Sequence, residues 1–107
     1  MRIAEIIGTV TLNRSHASFT GARLKLALPL RTSDLRGETR PDNAPLVLWD
    51  ELGAGIGSRV ALSEGGEAAQ PFLPERKPVD AYNAAILDDI ILPQQNLKTK
   101  TKTLFDK

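Results

Sequence analysis

Residues 22–30, ARLKLALPL, constrain the fold of this chain more than any other stretch. Leu24, Leu26, Leu28 and Leu30 recur every second residue, with Arg23 and Lys25 at the positions between. Successive side chains of a strand point to opposite faces, so this spacing describes a half-buried β-strand with leucines on one face and cations on the other. Pro29 has no N–H for a ladder, which places it at a strand end or edge.

The remaining segments extend the same reading. Ile3 to Leu12 is β-branched without a helical stripe and reads as a strand, with Gly8 marking a bulge, a bend or a close backbone approach. Leu46–Asp50 and Arg59–Ser63 read as short strands, the latter with Val60 and Leu62 inward. A fifth strand is expected from Ala81 to Leu92, where Pro93 ends it. Residues 13–20 are turn-like, and residues 64–70 suit one helical turn. Residues 31–45 mix Arg31, Arg36 and Arg40 with Asp34, Glu38 and Asp42 among Gly and Pro, and read as a surface loop. Residues 71–78 hold three prolines and read as irregular. Five short strands with long connections and little helix predict an all-β fold, a small five-stranded OB-like Greek-key barrel with a short helical turn. The expected division is a barrel domain over residues 1–92 and an extended C-terminal tail over residues 93–107, in which Lys98, Lys100 and Lys102 alternate with threonines.

Size and composition limit the function. A chain of 107 residues is one domain with a modest core, so partner subunits have room to add stability. A net charge of +1 supplies no general field for nucleic acid or anionic lipid, and the absence of cysteine excludes disulfides and thiolate metal sites. The opening MRIAEIIGTVTL carries Arg2 and Glu5 within its apolar stretch and is a poor signal peptide, and no run approaches the ~18 apolar residues of a membrane span, so a cytoplasmic protein without a membrane partner is expected.

Five glycines crowd residues 51–66, ELGAGIGSRVALSEGG. The spacing G-x-G-x-G followed by the strand-like RVALS fails the dinucleotide fingerprint, and no Gly-Lys pair exists for a Walker loop. Turns needing positive φ, or close backbone approach, account for the glycines better. His16 is the only histidine and has no ligand set or nucleophile around it, so a solvated loop residue is expected. Asp88 and Asp89 are adjacent in the expected strand and point apart, which is unsuited to a paired acid and base. Asp80 suits a turn or cap, and Glu51, Glu64 and Glu67 suit surface charge. Phe19, Trp49, Phe72, Tyr82 and Phe105 are scattered and not interleaved with basic residues, which weakens the alternative of an OB-like module binding single-stranded nucleic acid. No catalytic, metal or cofactor residues are assigned, and an interaction or structural protein is expected.

IIGTVTL, FTGARLKLALPL, WDELGAGIGSRVALSEGGEAA and PVDAYNAAILDDI together, in this order, resemble the EutN/CcmL family of bacterial microcompartment vertex proteins. The match is carried most by Thr20 and Gly21 before the leucine strand and by Asp50 through Gly57 before a Val-containing strand. The resemblance implies a β-barrel that assembles as a homopentamer, capping shell vertices among hexameric shell proteins, with no nucleic acid, no cofactor and no catalysis. Residues 1–92 then form the shell-vertex domain. A five-fold contact joins two different patches of each copy. Carried over from the family, Gly53, Ala54, Gly55, Ile56 and Gly57 are the expected subunit-interface residues. Ala85 stands where many members have glycine, and residues 31–45 are longer and more charged than a minimal member needs.

Overall fold

The computed structural model describes residues 1–93. Five strands, β1 (Arg2–Val10), β2 (Leu24–Pro29), β3 (Leu46–Trp49), β4 (Arg59–Glu64) and β5 (Ala81–Ile86), close into a barrel in the order β1-β2-β3-β5-β4. All pairings are antiparallel except β3 with β5, which touch in parallel through the single pair Trp49 and Tyr82. This is the five-stranded OB-type closure expected from the strand count.

Closure follows from local chemistry. β1 must pair with β2 on one edge and β4 on the other, and a register shift between Ile6 and Gly8 bends it to do so. Of the bulge, bend or close backbone approach expected at Gly8, the register shift beside it is the bulge. β2 stops at Pro29, as its missing N–H requires. The core is small and sealed: Ala4, Ile6, Ala27, Leu48, Ala54, Val60, Leu62 and Ala81 pack together, and Val60 and Leu62 point inward as expected.

The orientation of β2 reverses the simplest reading of its alternation. Ala27 is in the core, Pro29 is fully buried and Lys25 reaches a buried carboxylate, so the face with the cation lines the barrel interior. The leucines lie on the outer wall. Leu26 pairs with Gly8 on one side and Val47 on the other, and Ile7 and Val47 beside it are 38% and 41% exposed. With Ile6, Leu48, Val60 and Leu62 already filling the narrow interior, β2 contributes the small Ala27 to it and carries its leucines outside. Period two identifies the strand but not which face is inside.

Three further boundaries differ from expectation. Residues 31–45 contain a one-turn helix, α1 (Thr32–Leu35), braced by Asp34. Asp34 accepts from the Arg31 backbone N–H at 2.8 Å, from its guanidinium at 3.1 Å and from the Thr39 hydroxyl. The hydrogen bond from Arg31, then that from Thr39, holds its carboxyl well below the usual range. The expected helical turn at 64–70 is a longer 3₁₀ segment, Gly65–Phe72, buried through Ala68. β5 ends at Ile86, six residues before the expected end at Leu92, so Asp88 and Asp89 lie beyond the strand and the alternation argument does not apply to them. From residue 94 onward the expected tail lies outside the described residues.

Candidate assembly loop and its anchor

The glycine segment follows β3 and leads into β4. Asp50, the residue immediately after β3, is fully buried and collects four donors. Its Oδ1 accepts from the Leu52 backbone N–H at 3.0 Å and from Asn83 Nδ2 at 2.9 Å. Its Oδ2 accepts from the Ala54 backbone N–H at 2.8 Å and from Lys25 Nζ at 2.9 Å. Lys25 Nζ also donates to the Ala54 carbonyl at 2.6 Å. One carboxylate and one ammonium thus tie the loop to β2 and β5 from inside. Burial alone would raise the Asp50 carboxyl; the hydrogen bonds from Lys25, Asn83, Leu52 and Ala54 outweigh it, and the net shift is downward.

The loop beyond this anchor faces outward. Gly53 and Gly57 have φ of +78° and +93°, a region where a Cβ is unfavourable. Gly55 does not, and its missing Cβ would meet nothing within 4 Å in the chain itself. Gly57 donates to the Ile6 carbonyl at 2.8 Å, which extends the β1–β4 seam into the loop. Ile56 is 73% exposed and Leu52 50% exposed, while Ala54 is packed in the barrel's own core. Of the five expected interface residues, four are on the surface and Ala54 anchors them.

Four of the aromatic residues, scattered in sequence, come together, and Phe105 lies outside the described residues. Phe19 stacks on Trp49 at 6.1 Å, Phe72 meets Trp49 edge-on at 4.9 Å, and Tyr82 meets Phe72 edge-on at 5.5 Å. They buttress the outside of the β3–β5 seam, where only one residue pair closes the barrel. Tyr82 Oη donates to Glu51 at 3.1 Å; burial first, then that carboxylate, raises the phenol's pKa. Packed on one another, these rings are not an open row for stacking bases.

The other candidates are local. His16 is exposed, and its Nδ1 accepts from the Ser18 backbone N–H at 3.1 Å, capping a short 3₁₀ turn, Ala17–Phe19. Glu64 pairs with Arg2 at 3.2 Å, and Glu67 and Asp80 are exposed. Asp89 accepts from the Ile90 N–H at 3.0 Å. Among the described residues no group of three or more His, Cys, Asp or Glu is placed to hold a metal, and no helix is long and apolar enough to cross a membrane. The sequence reading missed Asp50 as an anchor. The available signal was Lys25, a cation between leucines, which needs a carboxylate once its face is inside.

The family described as "Ethanolamine utilisation protein EutN/carboxysome" matches residues 1–88. The chain belongs to the EutN/CcmL family. A carboxysome shell vertex protein, CcmL of Gloeobacter violaceus, is 31% identical over 100 residues, covering 94% of this chain and 95% of its own. The shell vertex protein EutN of Salmonella typhimurium is 30% identical over 91 residues, covering 85% and 87%. Among solved EutN/CcmL structures, the GrpN pentameric microcompartment shell protein of Rhodospirillum rubrum superposes with a TM-score of 0.72 at 30% identity, over 87% of this chain and 100% of that one. The Gloeobacter CcmL structure superposes with a TM-score of 0.75 at 28% identity, over 86% and 90%. The EutN/CcmL fold therefore spans the described barrel, and its named members favour a shell role over the nucleic-acid alternative.

Proposed function

We propose that this chain is a non-catalytic subunit of a bacterial microcompartment shell, working in the cytoplasm, in which five copies form a closed ring at a vertex between hexameric shell proteins. The observation that carries this reading is the match, over most of both chains, to a protein described as a pentameric shell protein. A flat hexagonal sheet has no curvature, and five-membered rings let it close. The surface of the barrel suits the role. A ring contact is heterologous and needs two different patches on each copy. The exposed loop of Gly53, Gly55, Ile56 and Gly57, held from inside by Ala54 and Asp50, offers one. The outer wall around Ile7, Leu26 and Val47 offers an apolar second, which a lone barrel leaves wet.

Native mass spectrometry tests the assembly. The expected mass is five times the 11.6 kDa subunit. A monomer that persists across concentration overturns the reading. Imaging of purified particles tests the symmetry independently, and particles without five-fold order would have the same consequence.

A further inference from the structure

We propose that the barrel interior holds one ordered water molecule as part of the loop anchor, donating a hydrogen bond to Asn83 Oδ1 and accepting one from Lys25 Nζ. Asn83 is 1% exposed, and its Nδ2 donates to Asp50 Oδ1 at 2.9 Å. Its Oδ1 is buried as well and has no hydrogen-bond partner among the described residues. Turning the amide over does not help, because Oδ1 would then face the Asp50 carboxylate, acceptor against acceptor. Buried amide oxygens are nearly all paired, with protein or with ordered water, because an unpaired one loses its hydration without return.

The fold is shaped to place this group. Ala61 pairs with Ala85 and Leu62 with Asn83, so β5 carries one residue, Ala84, more than β4 opposite it. A bulge of this kind re-aims the side chains beside it. Here Asn83 follows Ala81 on the inward face, among apolar residues, while Ala84 is exposed.

The chemistry of the site selects its ligand. The ligand must donate a proton to Oδ1, and it must be small, because Asn83 and Asp50 are closed off from solvent. It must also be neutral. Lys25 and Asp50 already balance each other, so a cation would meet the ammonium and an anion the carboxylate. Lys25 supplies the second contact. Its ammonium carries three protons, and Asp50 Oδ2 and the Ala54 carbonyl take two of them. Lys25 and Asn83 hold the two oxygens of one carboxylate, so a molecule that accepts from one and donates to the other closes the network. Ala54 and Ala81 contribute only methyl groups to the core. Water is neutral, donates and accepts, and buried waters join polar groups in this way. The inference concerns the inside of a single barrel and does not rest on ring formation.

Crystals of the full chain that diffract well enough to show ordered water test it. The expected result is a water in each copy within about 2.7–3.2 Å of both Asn83 Oδ1 and Lys25 Nζ. In solution, the Asn83 side-chain amide protons are expected to show a water cross-peak of the same sign as the contacts within the protein. Asn83→Leu crystals should lose the water and keep the contact between Lys25 and Asp50. The native crystals and the native cross-peak decide the matter even if that variant does not fold. An Asn83 Oδ1 that accepts from a protein group, of this copy or another, overturns the proposal. So does an interior with no water at Oδ1, a metal ion in its place, or the absence of the cross-peak.

Discussion

Lys25 on β2 meets Asp50, at the end of β3, at 2.9 Å inside the barrel, and the same ammonium reaches the Ala54 carbonyl at 2.6 Å. The pair couples the wall of the barrel to the loop that follows it. Asp50 is wholly buried and the Lys25 side chain is 16% exposed, so neither charge is easily satisfied by water once the other is removed. Asp50→Asn is expected to cost about 3 kcal/mol, near the lower end for a broken buried pair because Lys25 keeps some access to solvent. Lys25→Met strands the carboxylate and is expected to cost a similar amount. The double variant recovers part of the sum, because each single change leaves an unpaired charge that the other removes. Chemical denaturation of the three variants measures the coupling, and strict additivity would show that the two groups act independently.

Acid should weaken the fold through two carboxylates. Asp34 and Asp50 both titrate below their ordinary value in the folded chain, Asp34 through Arg31 and Thr39, Asp50 because its four donors outweigh burial. The unfolded chain binds the proton first, near pH ~3.9. Between that value and the lower folded values the unfolded state carries more protons, so stability rises with pH there. The contribution is complete above about pH 5 and is lost as pH falls through the folded values. Asp34→Asn and Asp50→Asn each remove part of this slope. Melting temperature followed from pH 6 to pH 2 should fall steeply in the native chain and less steeply in either variant; parallel curves would locate the acid sensitivity elsewhere.

The glycines of the loop should separate folding from assembly. Gly53 and Gly57 occupy positive φ, so an alanine at either is expected to cost about 1–2 kcal/mol of folding stability. Gly55 has ordinary φ and open space around its missing Cβ, so Gly55→Ala should leave the subunit's stability unchanged within about 0.5 kcal/mol. Gly55→Glu is expected to fold and to fail in ring formation, because in the proposed ring it would place a charge in the subunit contact. Melting curves and light scattering read the two effects apart. Rings formed normally by Gly55→Glu would remove this loop from the contact.

The strands were legible because their signals are local. Leu24 to Leu30 alternates, Pro29 and Pro93 punctuate, and Val60 and Leu62 share a face. What could not be read was set by the closed shape. In the barrel interior Ala4, Ala27, Ala54 and Ala81 sit among Ile6, Leu48, Val60 and Leu62, and only this packing tells the leucines of β2 to lie outside. Asp34 and Asp50 looked like other acids because their donors come from residues that folding brings near. The aromatic group spans Phe19 to Tyr82 in sequence and has no periodic signature. Pro93 lies seven residues beyond the last strand residue, Ile86, and the apolar run up to it ceases to be strand once Val60, the β4 residue opposite Ile86, has its partner. The loop proposed for assembly was marked out by family likeness, and its anchor is visible through geometry alone.

The inverted faces of β2 give the sharpest comparison, because neighbouring residues make opposite predictions. Ala27 is fully buried in a core already filled by Ile6, Leu48, Val60 and Leu62, and Leu26 lies outside between Gly8 and Val47. If large residues belonged inside, Ala27→Leu would fill space and stabilise. In this barrel it forces the wall apart, and a loss of about 1–3 kcal/mol is expected from overpacking. Leu26→Ser removes a large apolar side chain, a change that costs about 2–5 kcal/mol in a sealed core. Half buried on the outer wall, it should cost the subunit much less, while weakening any ring contact made there. Denaturation at concentrations low enough to separate subunits, set beside mass measurements at high concentration, isolates the two contributions. A Leu26→Ser subunit destabilised more than Ala27→Leu, or an Ala27→Leu subunit more stable than the native one, would put the leucines back inside the barrel.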